Sequence, residues 1–353
     1  MRIIHLINNL TTGGAERLVV ELSKEMRDLG HDVRIVQLTH SPEKSPPASE
    51  AKSAGLDVEI LGRHRFDPRN ILRLRKLTQG ADIINAHLFP ALYLAALVDG
   101  PVRVLTEHST VNRRQKSPFM HVLDRIVYRR FDCCVAISDG VKSSADGYLE
   151  SLGISLGCVT VQNGVRLQDY STTAPSVRNG PLKLITVGKL NATKNVTEAI
   201  AAVDGLTGVS LTVVGAGKLR SALESQVEEN HQRQQVTFLG ARTDIPALLG
   251  QHHAMIITSE YEGFGLVAVE AMAAHVPVLC PDIRGVGDVV LHGEAGLLHR
   301  PHDVYQLRAN VERLRDDDNY RKQLAISAHT RSRVFGIESC AENYLILYAS
   351  LLG

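Results

Sequence analysis

The sequence predicts an α/β protein built from two Rossmann-like domains facing across a cleft, and three observations carry that prediction. Short β-branched runs alternate with amphipathic segments along almost the whole chain, the rhythm of βαβ units around a parallel sheet covered on both faces. The rhythm breaks at "NGVRLQDYSTTAPSVRNGP" (163–181), where Asn-Gly occurs twice beside two prolines and a polar cluster. It then restarts, and 353 residues with 44% hydrophobic content suffice for two ordinary cores.

The elements follow in order. "RIIHLI" reads as the first strand, with a helix after it over about 15–29. "DVRIVQL", "DVEIL", "DIINAH", "VRVLTEH" and "CCVAIS" read as further strands, with helical patterns at 69–77, 91–98 and 119–130. "SPEKSPPAS" (41–49) reads as a flexible loop. These elements place a first domain at 1–165 and a linker at 166–180. A second domain at 181–336 holds the strands "LKLITVG", "SLTVVGAG", "VTFLG", "AMIITS" and "VPVLCP". A last helix, 337–353, is expected to pack back on the first domain.

Composition excludes some classes. A net charge of +1 opposes a dedicated nucleic-acid binder, which normally carries a clear basic excess. The five cysteines (Cys133, Cys134, Cys158, Cys280, Cys340) are odd in number and form no CxxC pair, which favours free thiols in a reducing cytosol over disulfides or zinc. The opening "MRIIHLINNL" breaks its apolar run at Asn8-Asn9, unlike a signal peptide, and no run reaches the length of a membrane span. The expected location is the cytoplasm, at most touching the inner face of the cell membrane.

Ligands of open α/β sheets bind beyond the carboxyl ends of the strands, so motifs just after strands mark the candidate sites. "NNLTTGGAERLVVELS" puts Gly13 and Gly14 between the first strand and its helix. Glycines there admit a ligand close to the backbone and to the anion-attracting helix start, although a tight turn needs them too. "VVGAGKLRSAL" tempts a dinucleotide reading, but the third glycine position holds Arg220 and no acid closes the next strand, so it reads as a plain turn. "GKLNATKN" follows the first strand of the second domain and carries Lys189 and Lys194, two ammonium groups suited to a diphosphate.

"SEYEGFGLVAVEAM" poses the sharpest question, because Glu262 and Glu270 bracket a turn, Gly263-Phe264-Gly265-Leu266, that runs into an apolar helix. Eight residues at the helical rise span at most about 12 Å. That is the length of a nucleotide sugar, so one carboxylate can meet sugar hydroxyls and the other ribose hydroxyls, with the phosphates over the helix start. The plainer alternative makes Glu262 a cap and Glu270 a helix-face acid. Asp316-Asp317-Asp318 precede a late helix, where capping explains them without a metal. "RRQKSPFMHVLDRIVYRRFD" (113–132) can set Phe119, Val122, Ile126 and Tyr128 inward or toward lipid, with Arg113, Arg114, Lys116, Arg129 and Arg130 outside. A solvated helix face is the competing reading.

"EGFGLVAVEAM" resembles the E-x7-E signature of retaining glycosyltransferases of the GT-B fold, family 4. "TTGGAE", "VAISDGVKSSA", "VQNGV", "VGKLNATKN", "VVGAGKLRSAL" and "GEAGLL" are similar to that family's further motifs along most of the chain. The family usually has an arginine where this chain has Lys189, which replaces a bidentate fork by a point charge. The resemblance implies a nucleoside-diphosphate-sugar donor, uridine favoured over guanosine, and a glycan or polyprenyl-lipid-linked acceptor in cell-surface polysaccharide or glycolipid synthesis. It implies catalysis without cofactor or metal. On that reading Glu262, His108 (in "TEHST") and Lys194 are catalytic, Lys194 at the leaving diphosphate, and Gly13, Gly14, Lys189, Lys194, Gly263 to Leu266 and Glu270 hold the nucleotide sugar. His87 (in "NAHLFP"), Arg113 and Arg114 line the acceptor side or meet an anionic membrane. A hydrolase or epimerase of the same fold, or a non-catalytic binding subunit, would share these motifs.

Overall fold

The computed structural model describes residues 1–11, 13–42, 45–170 and 180–353; the side chains of Arg113 and Lys116 lie outside that description. Most of the expected linker therefore lies outside the described residues. Contacts divide the chain into two compact units, Met1–Val165 with Ile337–Gly353, and Arg166–Gly336.

The first unit holds seven parallel strands: β1 (Arg2–Ile7), β2 (Asp32–Gln37), β3 (Asp57–Ile60), β4 (Ile83–His87), β5 (Val102–Glu107), β6 (Cys133–Ala136) and β7 (Cys158–Thr160). Their spatial order is β3-β2-β1-β4-β5-β6-β7. The second unit holds six: β8 (Leu182–Val187), β9 (Val209–Val214), β10 (Val236–Gly240), β11 (Ala254–Ile256), β12 (Val278–Pro281) and β13 (Gly296–His299), ordered β10-β9-β8-β11-β12-β13. Both sheets are thus Rossmann-like, winding one way, then reversing beside their first strand. The central strands β1, β4 and β6 are buried along nearly their whole length, which explains their unbroken apolar runs.

Three expectations need correction. The stretch expected as a loop at 41–49 contains the start of a helix, Pro46–Ser53, because consecutive prolines at its first positions are preset for helical φ and have no N–H to lose. The strands β7 and β13 escaped the sequence reading; they are edge strands of three and four residues, too short for a periodic signal. Finally, Cys134 and Cys158 form a disulfide, since the β6–β7 register sets them side by side, while Cys133, Cys280 and Cys340 are free and buried.

The C-terminal helix, Ile337–Leu352, belongs to the first unit. Its Tyr344 and Tyr348 are fully buried in one apolar cluster with Ile3, Leu22, Ile83 and Val104. The Asn85 amide donates to the Tyr348 hydroxyl at 2.8 Å, and Thr106 Oγ1 donates to Asn85 Oδ1 at 2.9 Å, so the helix is fixed to β4 and β5 by a buried polar chain. Tyr348→Phe would leave the Asn85 N–H without that partner at a cost of about 1–3 kcal/mol. The expected result is a lower denaturant midpoint with little change in slope; an unchanged midpoint would show that the polar chain adds nothing to the docking.

Candidate functional site

In the second unit the sheet reverses between β8 and β11, so the loops leaving those strands diverge and open a crevice at their carboxyl ends. The β8 loop makes a 3-10 turn, Ala192–Lys194, whose cap Asn191 accepts from the Lys194 amide at 3.1 Å. The chain then passes through Asn195 at φ 45, a left-handed conformation that asparagine tolerates. The β11 loop lies against it. Thr258 Oγ1 donates to the Lys194 carbonyl at 3.0 Å, the Glu260 amide to the Thr193 carbonyl at 2.8 Å, and the Asn195 amide side chain to Glu260 Oε1 at 3.2 Å.

This lacing brings Lys194 and Glu262 together, 68 residues apart in sequence. Lys194 Nζ donates to Glu262 Oε1 in a half-buried ion pair, and Ser259 Oγ donates to the same oxygen at 2.8 Å. The aliphatic stem of Lys194 lies over Gly188, where an added Cβ would meet it at 3.6 Å. Lys189, by contrast, is exposed. The sequence marks both partners, Lys194 for a phosphate and Glu262 for a sugar, without joining them, and the one signal for Ser259 is its spacing three residues before Glu262.

Beyond Glu262 the turn is built by close backbone approach. Gly265 caps the helix Leu266–Ala273 at φ 88, and a Cβ on Gly285, itself at φ 94, would stand 2.3 Å from the Glu262 carbonyl oxygen. Phe264 turns inward, 2% exposed, edge-on to Phe335 with ring centroids 5.4 Å apart. Its side chain therefore anchors the turn, and only its backbone faces the loop. Glu270 is the fifth residue of the helix and is buried. The turn that tempted a dinucleotide reading has a structural cause: Cβ atoms on Gly215 and Gly217 would lie 1.8 Å and 2.1 Å from the carbonyl oxygens of Gly188 and Leu190. Asp317 caps the helix Asp318–Ser332 through the Tyr320 amide at 2.9 Å, while Asp316 pairs with Arg315 and Asp318 with Arg321 and Lys322.

The first unit carries a different cluster at its own reversal, between β1 and β4. The loops are tied by Asn8, whose amide donates to the Phe89 carbonyl at 2.7 Å. His87 is 0% exposed, so it is not a surface group for an acceptor; its Nδ1 lies 3.0 Å from His108 Nε2 and its Nε2 lies 3.1 Å from His5 Nδ1. Burial lowers His5 and His108 to a pKa of about 4 and holds His87 well below the usual imidazole range, so all three rings are neutral near pH 7. Nothing in the sequence marks His5, because only the strand register joins it to the other two.

Two further expectations change. Thr11 Oγ1 donates to Glu16 Oε1 at 3.0 Å, and a Cβ on Gly13 would meet the Glu16 carboxylate at 2.2 Å. The start of the Gly14–Asp28 helix is thus already complemented by an acid, which leaves a phosphate there unfavoured. Arg114 points inward: its guanidinium donates to Asp124 Oδ1 at 2.7 Å and to the Tyr128 hydroxyl at 2.5 Å, with Phe89, Tyr93 and Tyr128 rings 5.5, 5.8 and 5.6 Å away. The buried acid and tyrosines supply what an Arg needs inside the fold. The side chain of Arg113 lies outside the described residues.

The helix Pro118–Tyr128 is consequently inverted. Its inner face carries buried Asp124 and Tyr128, while Phe119, Val122 and Ile126 are 70%, 63% and 63% exposed. Arg125 and Arg129 are exposed on the same outer face. Among the described residues no helix is long and apolar enough to cross a membrane.

Known proteins resemble this chain throughout. Residues 12–168 match the family model described as Glycosyltransferase Family 4, and residues 173–331 match that of Glycosyl transferases group 1. A glycogen synthase of Mycobacterium tuberculosis is 31% identical over 360 residues, covering 90% of this chain and 86% of that protein. A phosphatidyl-myo-inositol mannosyltransferase of Mycobacterium leprae is 29% identical over 91% of this chain and 89% of its own length. The crystal structure of Anabaena Alr3699/HepE in complex with UDP and glucose superposes with a TM-score of 0.87 at 20% identity, covering 99% of this chain and 100% of that one. With matching models over both units and this fold, the chain belongs to the group 1 and family 4 glycosyltransferases of the GT-B type.

Proposed function

We propose that the protein is a retaining glycosyltransferase that moves a hexosyl group from a nucleoside-diphosphate sugar, UDP-linked by preference, to a hydroxyl of a glycan or lipid-linked acceptor. The observation that carries this reading is the Lys194–Glu262 pair at the β8–β11 reversal, directly before the helix that bears Glu270. Support for the donor comes from the solved complexes of HepE with UDP, glucose and UDP-glucose. The named activities of the glycogen synthase and mannosyltransferase relatives support hexosyl transfer.

In this mechanism the diphosphate leaves as the glycosidic bond breaks, and negative charge grows on its oxygens. Lys194 and the amides at the start of the Leu266–Ala273 helix receive that charge from fixed positions, which is the most effective form of stabilisation, and the exposed Lys189 adds positive charge beside them. No metal is invoked, since the charge has these partners and Asp316 to Asp318 are engaged at their own helices. Glu262 holds hydroxyls of the reacting sugar, already oriented by Ser259. Glu270 takes the ribose. The acceptor oxygen adds to the face the leaving group vacates and passes its proton to the departing phosphate oxygen, giving retained configuration.

Glu262→Gln and Lys194→Met are each expected to lower kcat/KM for sugar transfer by about 100-fold or more, the usual loss for a preorganised group at developing charge. Wild-type rates in both would place the site elsewhere. Proton NMR of the product reports the anomeric configuration, and inversion would overturn the retaining mechanism. Free sugar or an epimerised donor as the sole product would favour the hydrolase or epimerase reading.

The proposed acceptor is presented at an anionic membrane, on which the Phe119, Val122 and Ile126 face rests with Arg125 and Arg129 against the headgroups. Wild-type protein should co-sediment with phosphatidylglycerol vesicles and only weakly with phosphatidylcholine. Phe119→Glu with Ile126→Glu should stay in the supernatant while keeping its thermal midpoint. Equal sedimentation of the double variant would remove this surface from the proposal.

A further inference from the structure

His302 lies in the loop between β13 and the helix Val304–Asp316, and its ring touches two of the elements that build the Lys194–Glu262 site. Its Nδ1 stands 2.8 Å from Glu198 Oε1, and its Nε2 stands 3.2 Å from Glu260 Oε2. Glu198 is in the first turn of the helix Val196–Val203, whose cap is Asn195, the residue after Lys194. Glu260 is two residues before Glu262. Its amide donates to the Thr193 carbonyl, and its Oε1 accepts from the Asn195 side chain. One exposed ring thus ties the β13 loop to both loops that carry the ion pair.

Only a charged ring suits both contacts. An ionised carboxylate accepts and does not donate, and a neutral imidazole has one N–H and one lone pair. With the proton on Nδ1, the lone pair of Nε2 would face Glu260; with the proton on Nε2, that of Nδ1 would face Glu198. The imidazolium presents an N–H to each. The backbone carries a cost for placing it there, since His302 sits at φ 65, in the left-handed region where glycine fits without strain. Strain of that kind persists where the surrounding contacts offset it.

The remaining charged and titratable groups on the elements packed around the ring have other partners or face water. Lys194 and Glu262 pair with each other, and the Tyr261 hydroxyl lies 3.3 Å from Thr193 Oγ1. Asp303 caps its helix through the Gln306 amide at 2.9 Å, and Arg308 on that helix donates to the Asp204 carbonyl. His299, at the end of β13, is lowered by burial to a pKa of about 4 and is neutral near pH 7. Arg300 and Tyr305 are exposed. Among the described residues, His302 is the cation that pairs with Glu198 and with Glu260.

We propose that His302 is a positioning residue for the donor site: its imidazolium braces Glu198 and Glu260, so that the β8 and β11 loops hold Lys194 and Glu262 in register. The brace rests on the geometry; that the register serves a nucleoside diphosphate rests on the function proposed above. His302 acts through the two carboxylates and not by contact with the ligand. The hydrogen bond to Glu198, with the charges of Glu260 and Glu198, raises the ring above its usual value of 6.5. The brace is therefore present below that value and is lost as pH rises through the raised one.

Two measurements on the full-length protein test this. In 15N-histidine-labelled protein, with the signal assigned by its loss in His302→Gln, His302 should be protonated on both nitrogens at about pH 6. Its titration midpoint should lie above 6.5, and Glu260→Gln should lower it. A midpoint at or below the usual value, or one that Glu260→Gln leaves in place, overturns the brace. Calorimetry with UDP then compares wild type with His302→Gln across the pH range, and the ratio of the two Kd values cancels titration of UDP itself. At about pH 6 the variant should bind about three- to fivefold more weakly, the range that two partly exposed ion pairs can transmit. By about pH 9 the ratio should fall to one. Equal Kd values at pH 6, or a ratio that persists at pH 9 as a purely structural role would give, overturn the proposal. His302→Gly, which suits the backbone at φ 65, gives the same comparison should the glutamine variant fail to fold. If UDP binds neither protein at any pH, the proposed function fails, and the titration midpoint still decides the brace.

Discussion

Each sheet reverses its winding once, beside its first strand, and that constraint determines where chemistry can collect. Connections between parallel strands are right-handed, so strands added on opposite sides of β1 or of β8 send their helices to opposite faces. The loops leaving β1 and β4, and those leaving β8 and β11, must therefore part company. The gap between them is lined by backbone and side chains from residues remote in sequence. In the second unit it gathers Lys194, Glu262 and Ser259. In the first, the same strand order brings His5, His87 and His108 together from three adjacent strands. Neither group is a local motif; both are products of strand order.

A loop crevice has to be rigid to hold charged groups in register, and here backbone packing supplies that rigidity. Gly215 and Gly217 let one βα loop lie on the carbonyls of Gly188 and Leu190, and Gly285 lets another lie on that of Glu262. Any side chain at these positions would overlap an oxygen, so the loops cannot separate or slide without losing the contact. Phe264 completes the arrangement by plugging its turn into the core against Phe335. A phenylalanine between two glycines thus joins an anchor to two points of backbone freedom, and the carboxylate just before them is held at a fixed height above the sheet. Preorganisation of this kind costs nothing at the moment of reaction.

Much of this was legible in sequence because it depends on local spacing. The alternating strands and helices, the turn around Gly263 and Gly265, and the lysine loop all carry their signal within a dozen residues. What escaped depends on pairing across the sheet. Cys134 and Cys158 look like two of five thiols until β6 and β7 are set side by side. Arg114 looks like one of a surface basic cluster until Asp124, from the next helix, is seen to face it with three aromatic rings. His5 looks like an ordinary strand residue until β4 supplies His87. The helix Pro118–Tyr128 shows the same limit from the other side, since its exposed face carries Phe119, Val122 and Ile126 while its buried residues are Asp124 and Tyr128.

The two clusters also differ in charge. Burial keeps the three imidazoles neutral, so the first unit's cluster can donate or accept a hydrogen bond but cannot balance a phosphate. The Lys194 ammonium, half-buried and shared with a single carboxylate, can exchange that carboxylate for a phosphate oxygen. Under the proposed mechanism the growing charge on the diphosphate must then be met wholly within the second unit.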